Sequence, residues 1–187
     1  HLLGGCMGCP PVAAFGVAHP ERVLSMTLFW PVGGAKYRIN CHLRFAQHLT
    51  YVEESGMQAV VDLVRSHDQN FSQDPRGGPW GNNIRQSDEF AGSYAALDPA
   101  AYKMTVSAMV RGLFDRDTAP GAEAEQLLAL DVPSLIVPGG DDAHATSAAM
   151  YLHECLAGSK YVNIEPREQY EENIPGRVLE FLDGVGA

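Results

Sequence analysis

A cysteine set among glycines is the first feature of this 187-residue sequence that is suited to chemistry. Cys6 lies in the run GGCMG at residues 4–8, between a short apolar segment and an apolar stretch that opens with two prolines. A sharp strand-to-helix turn around a nucleophile has this pattern, and the helix N-terminus favours a thiolate and a developing oxyanion. The pattern makes Cys6 a candidate nucleophile and the Met7 backbone N–H a candidate oxyanion donor. A tight turn without chemistry would use the same residue types.

Cys6 and Cys9 also form a C-x-x-C pair at the start of a predicted helix. In another setting this spacing is typical of a thioredoxin-like redox centre, in which the second thiol resolves a mixed disulfide. A zinc site would need two further ligands, and the sequence has no second C-x-x-C pair. A thiol redox protein therefore stays open as an alternative, whereas we predict neither a metal nor a cofactor.

Alternating strands and helices at both ends of the chain must position the cysteine. Apolar runs predict strands before Cys6 and over 23–30, 132–138 and 160–164, and helices over 10–18, 145–156 and 174–182. This order predicts an α/β fold with a parallel sheet. Residues 35–120 instead carry apolar residues at helical spacing, with Asp98 and Pro99 as a helix start. We expect core sheet over 1–34 and 121–187, separated by a helical insertion over 35–120.

Residues 2–28 (LLGGCMGCPPVAAFGVAHPERVLSMTL) resemble the nucleophile-elbow segment of the α/β-hydrolase family. That segment has the pattern small-x-Ser-x-Gly, an apolar helix, the sequence His-Pro-Glu-Arg-Val and an apolar strand. Cys6 stands where most members have serine. Residues 132–142 (VPSLIVPGGDD) resemble the strand that delivers the family's acidic residue. The resemblance implies a mostly parallel sheet of α/β-hydrolase type, with the helical insertion acting as a cap.

The resemblance also implies a base and an acid, but the histidine is absent from its usual place. The family's base follows the last strand, here in residues 165–170 (EPREQY), and no histidine follows His153. His144 is the best replacement by position, and Asp142 matches the family's acid by its Gly-x-x-Asp spacing. We therefore predict a triad of Cys6, His144 and Asp142. An exposed loop histidine and a helix-capping carboxylate are the alternatives.

The implied reaction is hydrolysis or acyl transfer on a small apolar ester, lactone, thioester or C–C-linked diketone. Trp30 and Trp80 are predicted to line the substrate pocket, although core packing would also explain Trp30. Members of the family place further strands, and a loop with a second oxyanion donor, before the elbow. We therefore expect a preceding segment or a partner chain to complete the sheet beside residues 1–3. A non-catalytic binding protein of the same fold is the competing hypothesis.

The amino-acid composition argues against nucleic acids and membranes as partners. The chain has 23 Asp and Glu residues against 13 Lys and Arg, which gives a formal net charge of −10 and argues against nucleic acid. No apolar run approaches the roughly 18 residues of a membrane span, so we predict no membrane partner. Four scattered cysteines are typical of free thiols in a reducing compartment, which predicts a cytoplasmic protein acting on a small-molecule substrate.

Overall fold

The computed structural model describes residues 1–185, and the chain divides into two compact units. The first unit comprises residues 1–38 and the chain from residue 116 onward, and the second comprises residues 39–115. In chain order, the strands are β1 (Leu2–Gly5), β2 (Met26–Phe29), β3 (Ser134–Val137) and β4 (Lys160–Tyr161). The helices are α1 (Cys9–Ala18), α2 (Ala35–Ser66), α3 (Gly81–Gln86), α4 (Asp88–Ala95), α5 (Pro99–Leu113), α6 (Ala124–Leu128), α7 (Thr146–Cys155) and α8 (Ile174–Val185).

A parallel sheet with the strand order β1-β2-β3-β4 forms the centre of the first unit. Leu3 pairs with Thr27, which in turn pairs with Leu135, so the first three strands end at the same edge of the sheet. The predicted α/β class and parallel sheet are confirmed. Within residues 1–185, β1 has a neighbouring strand on one side only, and Leu3 on that strand is 66% exposed.

Apolar side chains cover both faces of this sheet. Successive side chains of a strand point to opposite faces, so Ile136 of β3 joins one cluster while Leu135 and Val137 join another. The first cluster contains residues of α1, α6 and α7, and the second contains Ile174 and Phe181 of α8. Burial on both faces explains why the strands read as continuous apolar runs instead of alternating ones.

The second unit contains helices only. Its core includes Val60 and Val64 of α2, Ile84 of α3 and Tyr94 of α4. The long helix α2 is interrupted at Gly56, whose φ of +84° is in the region that favours glycine. The sequence predicts helices over 43–54 and 57–64 on either side of this break, and the structure has a helical segment on each side of Gly56.

Local capping chemistry sets where two helices of the second unit begin. The Asp98 carboxylate accepts the Ala101 N–H at 2.8 Å, and Pro99 takes the first helical position, so the predicted start of α5 is confirmed. Ser87 caps α4 in the same way by accepting the Phe90 N–H. The role of this helical unit as a cap remains a prediction. No helix within residues 1–185 combines the length and apolar character that crossing a membrane requires.

Candidate active site

Cys6 lies in a strained turn directly after β1. It opens a short 3₁₀ helix, Cys6–Gly8, which leads into α1. Its φ of +53° is in the left-handed region, which costs a residue with a side chain on the order of 1–3 kcal/mol. The turn leaves Cys6 exposed at the end of the strand. A strained, exposed thiol before a helix is the arrangement that a nucleophile needs.

The two glycines that flank this turn differ in what they do. A Cβ on Gly4 would lie 2.5 Å from the Gly8 carbonyl oxygen and 2.9 Å from Val12 Cγ2, so the backbone can close here only with glycine. A Cβ on Gly8 would meet nothing within 4 Å. Steric crowding therefore requires glycine at position 4 of the motif and does not require it at position 8.

His144 reaches Cys6 from the loop that follows β3. Its Nε2 lies 3.1 Å from the Cys6 Sγ, within hydrogen-bonding distance for sulfur, and its side chain is 14% exposed. The Gly33 N–H donates to the Ala143 carbonyl at 3.0 Å, which anchors the loop beside the segment that follows β2. A Cβ on Gly139 would overlap that of His144, so the loop can fold back over this position only with glycine.

Asp141, and not Asp142, is the carboxylate that contacts His144. The Nδ1 of His144 lies 2.9 Å from Asp141 Oδ1 and 3.0 Å from Oδ2. The same carboxylate accepts the backbone N–H groups of Ala143 and His144, so the turn itself directs Asp141 toward the imidazole. Asp142 points elsewhere and binds the Lys36 ammonium at 2.8 Å. The predicted acid is therefore corrected by one position.

These contacts define the tautomer of the neutral His144 ring. Because a carboxylate only accepts hydrogen bonds, the Nδ1 of His144 carries the proton that it donates to Asp141. In the neutral ring Nε2 is then unprotonated and faces the Cys6 thiol. Burial alone would raise the pKa of Asp141, but hydrogen bonds from His144 and Ala143 outweigh it and lower that pKa below its usual value.

Cys9 does not have the properties of a resolving thiol. Its Sγ is buried and lies 3.1 Å from the Gly4 carbonyl oxygen, to which it donates. Burial, reinforced by the neighbouring Cys6, raises the pKa of Cys9 to about 12. Thiol–disulfide exchange requires a thiolate, so this environment argues against a redox pair of Cys6 and Cys9. Within residues 1–185, no group of three or more His, Cys, Asp or Glu side chains is arranged to hold a metal ion.

Three further residues are predicted to belong to the site: Met7, Trp30 and Trp80. Met7 occupies the second position of the 3₁₀ helix, where backbone N–H groups have no intrahelical acceptor, and its Sδ accepts the Tyr37 hydroxyl at 2.6 Å. The Trp30 ring lies 5.7 Å from that of His144. Trp80 belongs to the second unit, where it precedes α3 and is 44% exposed. Its contribution to a substrate pocket remains a prediction.

Gln169 is a residue that the sequence reasoning missed. It lies in the loop where the resemblance places the family's base, and its Oε1 accepts the Trp30 indole N–H at 2.7 Å. The only signal in the sequence is its place in that loop, since a single glutamine carries no recognisable pattern.

Solved structures share this arrangement of strands and helices. A membrane phospholipase A, described as a novel bacterial virulence factor, superposes with a TM-score of 0.55 at 20% identity, over 99% of this chain and 57% of that one. The 2-hydroxy-6-oxo-6-phenylhexa-2,4-dienoate hydrolase from Rhodococcus sp. strain RHA1 gives 0.52 at 16% identity, over 98% and 63%. The chain has the α/β-hydrolase fold.

A third α/β-hydrolase-fold structure, an esterase from Rhodococcus sp. ECU1013, gives a TM-score of 0.50 at 18% identity, over 98% of this chain and 65% of that one. The chain thus spans less than two thirds of the length of these three structures. No model of a protein family and no curated protein matches it.

Proposed function

We propose that this protein is a cysteine-dependent hydrolase or acyl transferase with the α/β-hydrolase fold. The observation that carries the proposal is the 3.1 Å contact between Cys6 Sγ and His144 Nε2, with Asp141 on the opposite side of the imidazole. A nucleophile, a base in contact with it and an acid that orients the base are the parts that acyl transfer requires.

Acylation begins with the Cys6 thiol next to the unprotonated Nε2 of His144. The sulfur attacks the substrate carbonyl carbon while its proton passes to Nε2, and the carbonyl electrons move onto oxygen. The tetrahedral oxyanion accepts the Met7 N–H, which lies at the start of the helix. When the oxyanion collapses, the leaving group takes the proton from the His144 imidazolium, and a thioester remains on Cys6.

Deacylation uses the same groups in reverse. His144 Nε2 removes a proton from water, whose oxygen attacks the thioester carbonyl, and the carboxylic acid departs as the Cys6 thiol recovers its proton. Asp141 stabilises the imidazolium in both halves and remains ionised throughout. An alcohol, amine or thiol in place of water would make the same chemistry an acyl transfer.

Substrates with an apolar part next to the reacting carbonyl fit this site best. The aromatic ring of Trp30 borders His144, and aromatic side chains often line pockets for such groups. The structures with the same fold are named as a phospholipase, an esterase and a hydrolase of a phenyl-substituted oxo-dienoate, and these names favour carbonyl compounds. We propose a small apolar ester, lactone, thioester or C–C-linked diketone.

We infer that strands outside these 187 residues pair with β1 in the working protein. Within residues 1–185 the outer side of β1 has no strand partner, and the solved structures of the same fold are longer than this chain. A preceding segment or a partner chain would cover that edge and supply a second oxyanion donor. The four free thiols favour a cytoplasmic location for the protein.

Turnover of activated aryl esters by the full chain tests the proposal. Cys6→Ala should abolish the hydrolysis of p-nitrophenyl acetate and p-nitrophenyl butyrate, because it removes the thiol that contacts His144 Nε2. Cys155→Ala is the matched control, since it removes a buried cysteine of α7 that lies outside the site. Equal turnover by wild type and Cys6→Ala would contradict the proposal, and binding of an ester without any turnover would favour a non-catalytic binding protein.

A further inference from the structure

The side-chain amide of Gln169 is fully committed to hydrogen bonds within the first unit. Its Oε1 accepts the Trp30 Nε1–H at 2.7 Å. Its Nε2 donates one proton to the Pro138 carbonyl at 2.8 Å and the other to the Ile164 carbonyl at 3.0 Å. Since the amide uses both protons and its oxygen, its orientation is fixed by its partners.

These partners belong to the ends of adjacent strands. Trp30 directly follows β2, Pro138 directly follows β3, and Ile164 lies just beyond β4. Gln169 therefore fastens the segment that carries Trp30 to the strand end that leads into the loop of His144. Gln169 is half-buried between the Trp30 indole and two backbone carbonyls, unlike a glutamine that is only exposed to solvent.

Trp30 is itself held in an unusual conformation. Its φ of +49° is in the left-handed region, which a bulky side chain adopts only where its surroundings compensate. Its backbone N–H donates to the Val137 carbonyl at 2.8 Å, and its ring is parallel to that of Phe29 at 5.7 Å. The bond to Gln169 fixes the far end of the same side chain.

The fixed indole borders the imidazole of His144. The two ring centroids lie 5.7 Å apart, and the ring planes are inclined by 53°. Asp141 binds Nδ1 of the imidazole and Cys6 Sγ contacts Nε2, but two contacts in line leave the ring free to tilt about the axis through these nitrogens. The indole restricts this tilt.

We propose that Gln169 is a positioning residue that acts through Trp30 to hold the His144 imidazole against Cys6. This inference rests on the proposed function, because it concerns the base of that mechanism. The loop of residues 165–170, where the resemblance places the base of related proteins, then keeps a role in this one. It orients a base that comes from another loop.

The test combines alkylation of Cys6 with ester turnover in one set of variants of the full chain. The set is Gln169→Leu, which removes all three hydrogen bonds at similar volume; Trp30→Phe, which keeps an aromatic ring without the N–H donor; His144→Ala; and Gln58→Leu. Gln58 is the control because it is a glutamine of the second unit whose amide binds only the Asp62 carboxylate at an exposed site. Iodoacetamide labelling of Cys6 is followed by mass spectrometry from pH 5 to 9, and kcat and KM are measured with p-nitrophenyl acetate.

His144→Ala should slow the labelling of Cys6 at neutral pH. It should also remove the step in the plot of labelling rate against pH that a histidine partner produces. Gln169→Leu and Trp30→Phe should shift that step and lower kcat about 10- to 100-fold, since displacement of a catalytic group by about 1 Å has effects of this size. KM should change little for Gln169→Leu, which keeps the Trp30 ring. Gln58→Leu should match wild type. A merely structural role for Gln169 would lower the melting temperature without moving the labelling profile of the folded protein.

The outcomes separate the two proposals. If His144→Ala labels and turns over like wild type, the proposed function fails. If His144→Ala is impaired while Gln169→Leu and Trp30→Phe match wild type in both assays, the positioning role is overturned and the proposed function stands. If Gln169→Leu does not fold, Trp30→Phe alone decides, because it removes the same hydrogen bond to Trp30 from the other side.

Discussion

His144 Nε2 lies 3.1 Å from Cys6 Sγ although 138 positions separate the two residues in the chain. The order of the strands in the sheet explains why these two side chains are in contact. Cys6 follows β1, and His144 belongs to the loop after β3, with only β2 between these strands. Parallel strands end at the same edge of a sheet, so the loops that follow β1 and β3 converge there. The fold thus places an imidazole beside the Cys6 thiol, although the loop of residues 165–170 has no histidine.

Asp141 and Asp142 provide a matched pair of substitutions. Asp141→Asn should lower kcat for an aryl ester about 10²-fold or more, because the carboxylate that stabilises the imidazolium is lost. Asp142→Asn should change kcat less than about twofold, since its carboxylate binds the exposed Lys36 ammonium instead, and exposed ion pairs contribute little. Steady-state kinetics of the two variants decide which of the two carboxylates acts on His144. A larger loss for Asp142→Asn would restore the acid predicted from the sequence.

Gly4 and Gly8 test the turn itself. Gly4→Ala should destabilise the fold by at least about 1–3 kcal/mol, because its Cβ would press on the Gly8 carbonyl and Val12. Gly8→Ala should leave the free energy of unfolding within about 0.5 kcal/mol of wild type, since its Cβ meets open space. Urea unfolding followed by circular dichroism measures both. Equal destabilisation by the two substitutions would show that the turn is not closed as described.

The sequence was sufficient to predict those elements of the fold that have a local pattern. The glycines around Cys6, the apolar run of β3 and the Asp98–Pro99 helix start each depend on neighbouring residues, and the structure places all of them as elements of the expected kind. The short helices α3 and α4 were missed, because segments such as GNNIRQ carry too few apolar residues to show a helical period.

Other parts of the site depend on contacts that no local pattern reveals. Asp141 and Asp142 are adjacent carboxylates, and only the path of the backbone through Ala143 decides which of them faces the imidazole. Gln169 becomes informative only when Trp30, 139 positions away, is seen to donate to it. Gly8 occupies a glycine position of the motif, although a Cβ at that position would contact nothing within 4 Å. In each case the determining partner is distant in sequence or is a backbone atom.

A buried histidine in the second unit predicts how stability depends on pH. His48 is fully buried, its Nδ1–H donates to the Arg76 carbonyl at 2.9 Å, and its Nε2 accepts the Tyr102 hydroxyl at 2.8 Å. Burial lowers the pKa of His48 below its ordinary value of 6.5, and the bond to Arg76 offsets this only in part. Because the folded state favours the neutral ring, the stabilisation is complete above pH 6.5 and is lost as the pH falls through the lowered pKa.

Urea unfolding of the full chain between pH 8 and pH 5 measures this dependence. His48→Gln keeps polar atoms at the site but does not titrate, so its free energy of unfolding should fall less than that of wild type toward pH 5. His19→Gln, at an exposed histidine beside Glu21, is the matched control and should follow wild type. The prediction fails if His48→Gln and wild type lose stability in parallel.

Trapping the acyl-enzyme tests the central claim most directly. The full chain is mixed with p-nitrophenyl acetate, quenched in acid within the first turnover and digested, and the acetylated peptide is identified by mass spectrometry. The mechanism predicts one acetyl group, attached to Cys6, that appears with the burst of p-nitrophenol, is absent from Cys6→Ala and forms far more slowly in His144→Ala. A burst of p-nitrophenol with the acetyl group on another residue, or equal acetylation of Cys6 in wild type and His144→Ala, would contradict it.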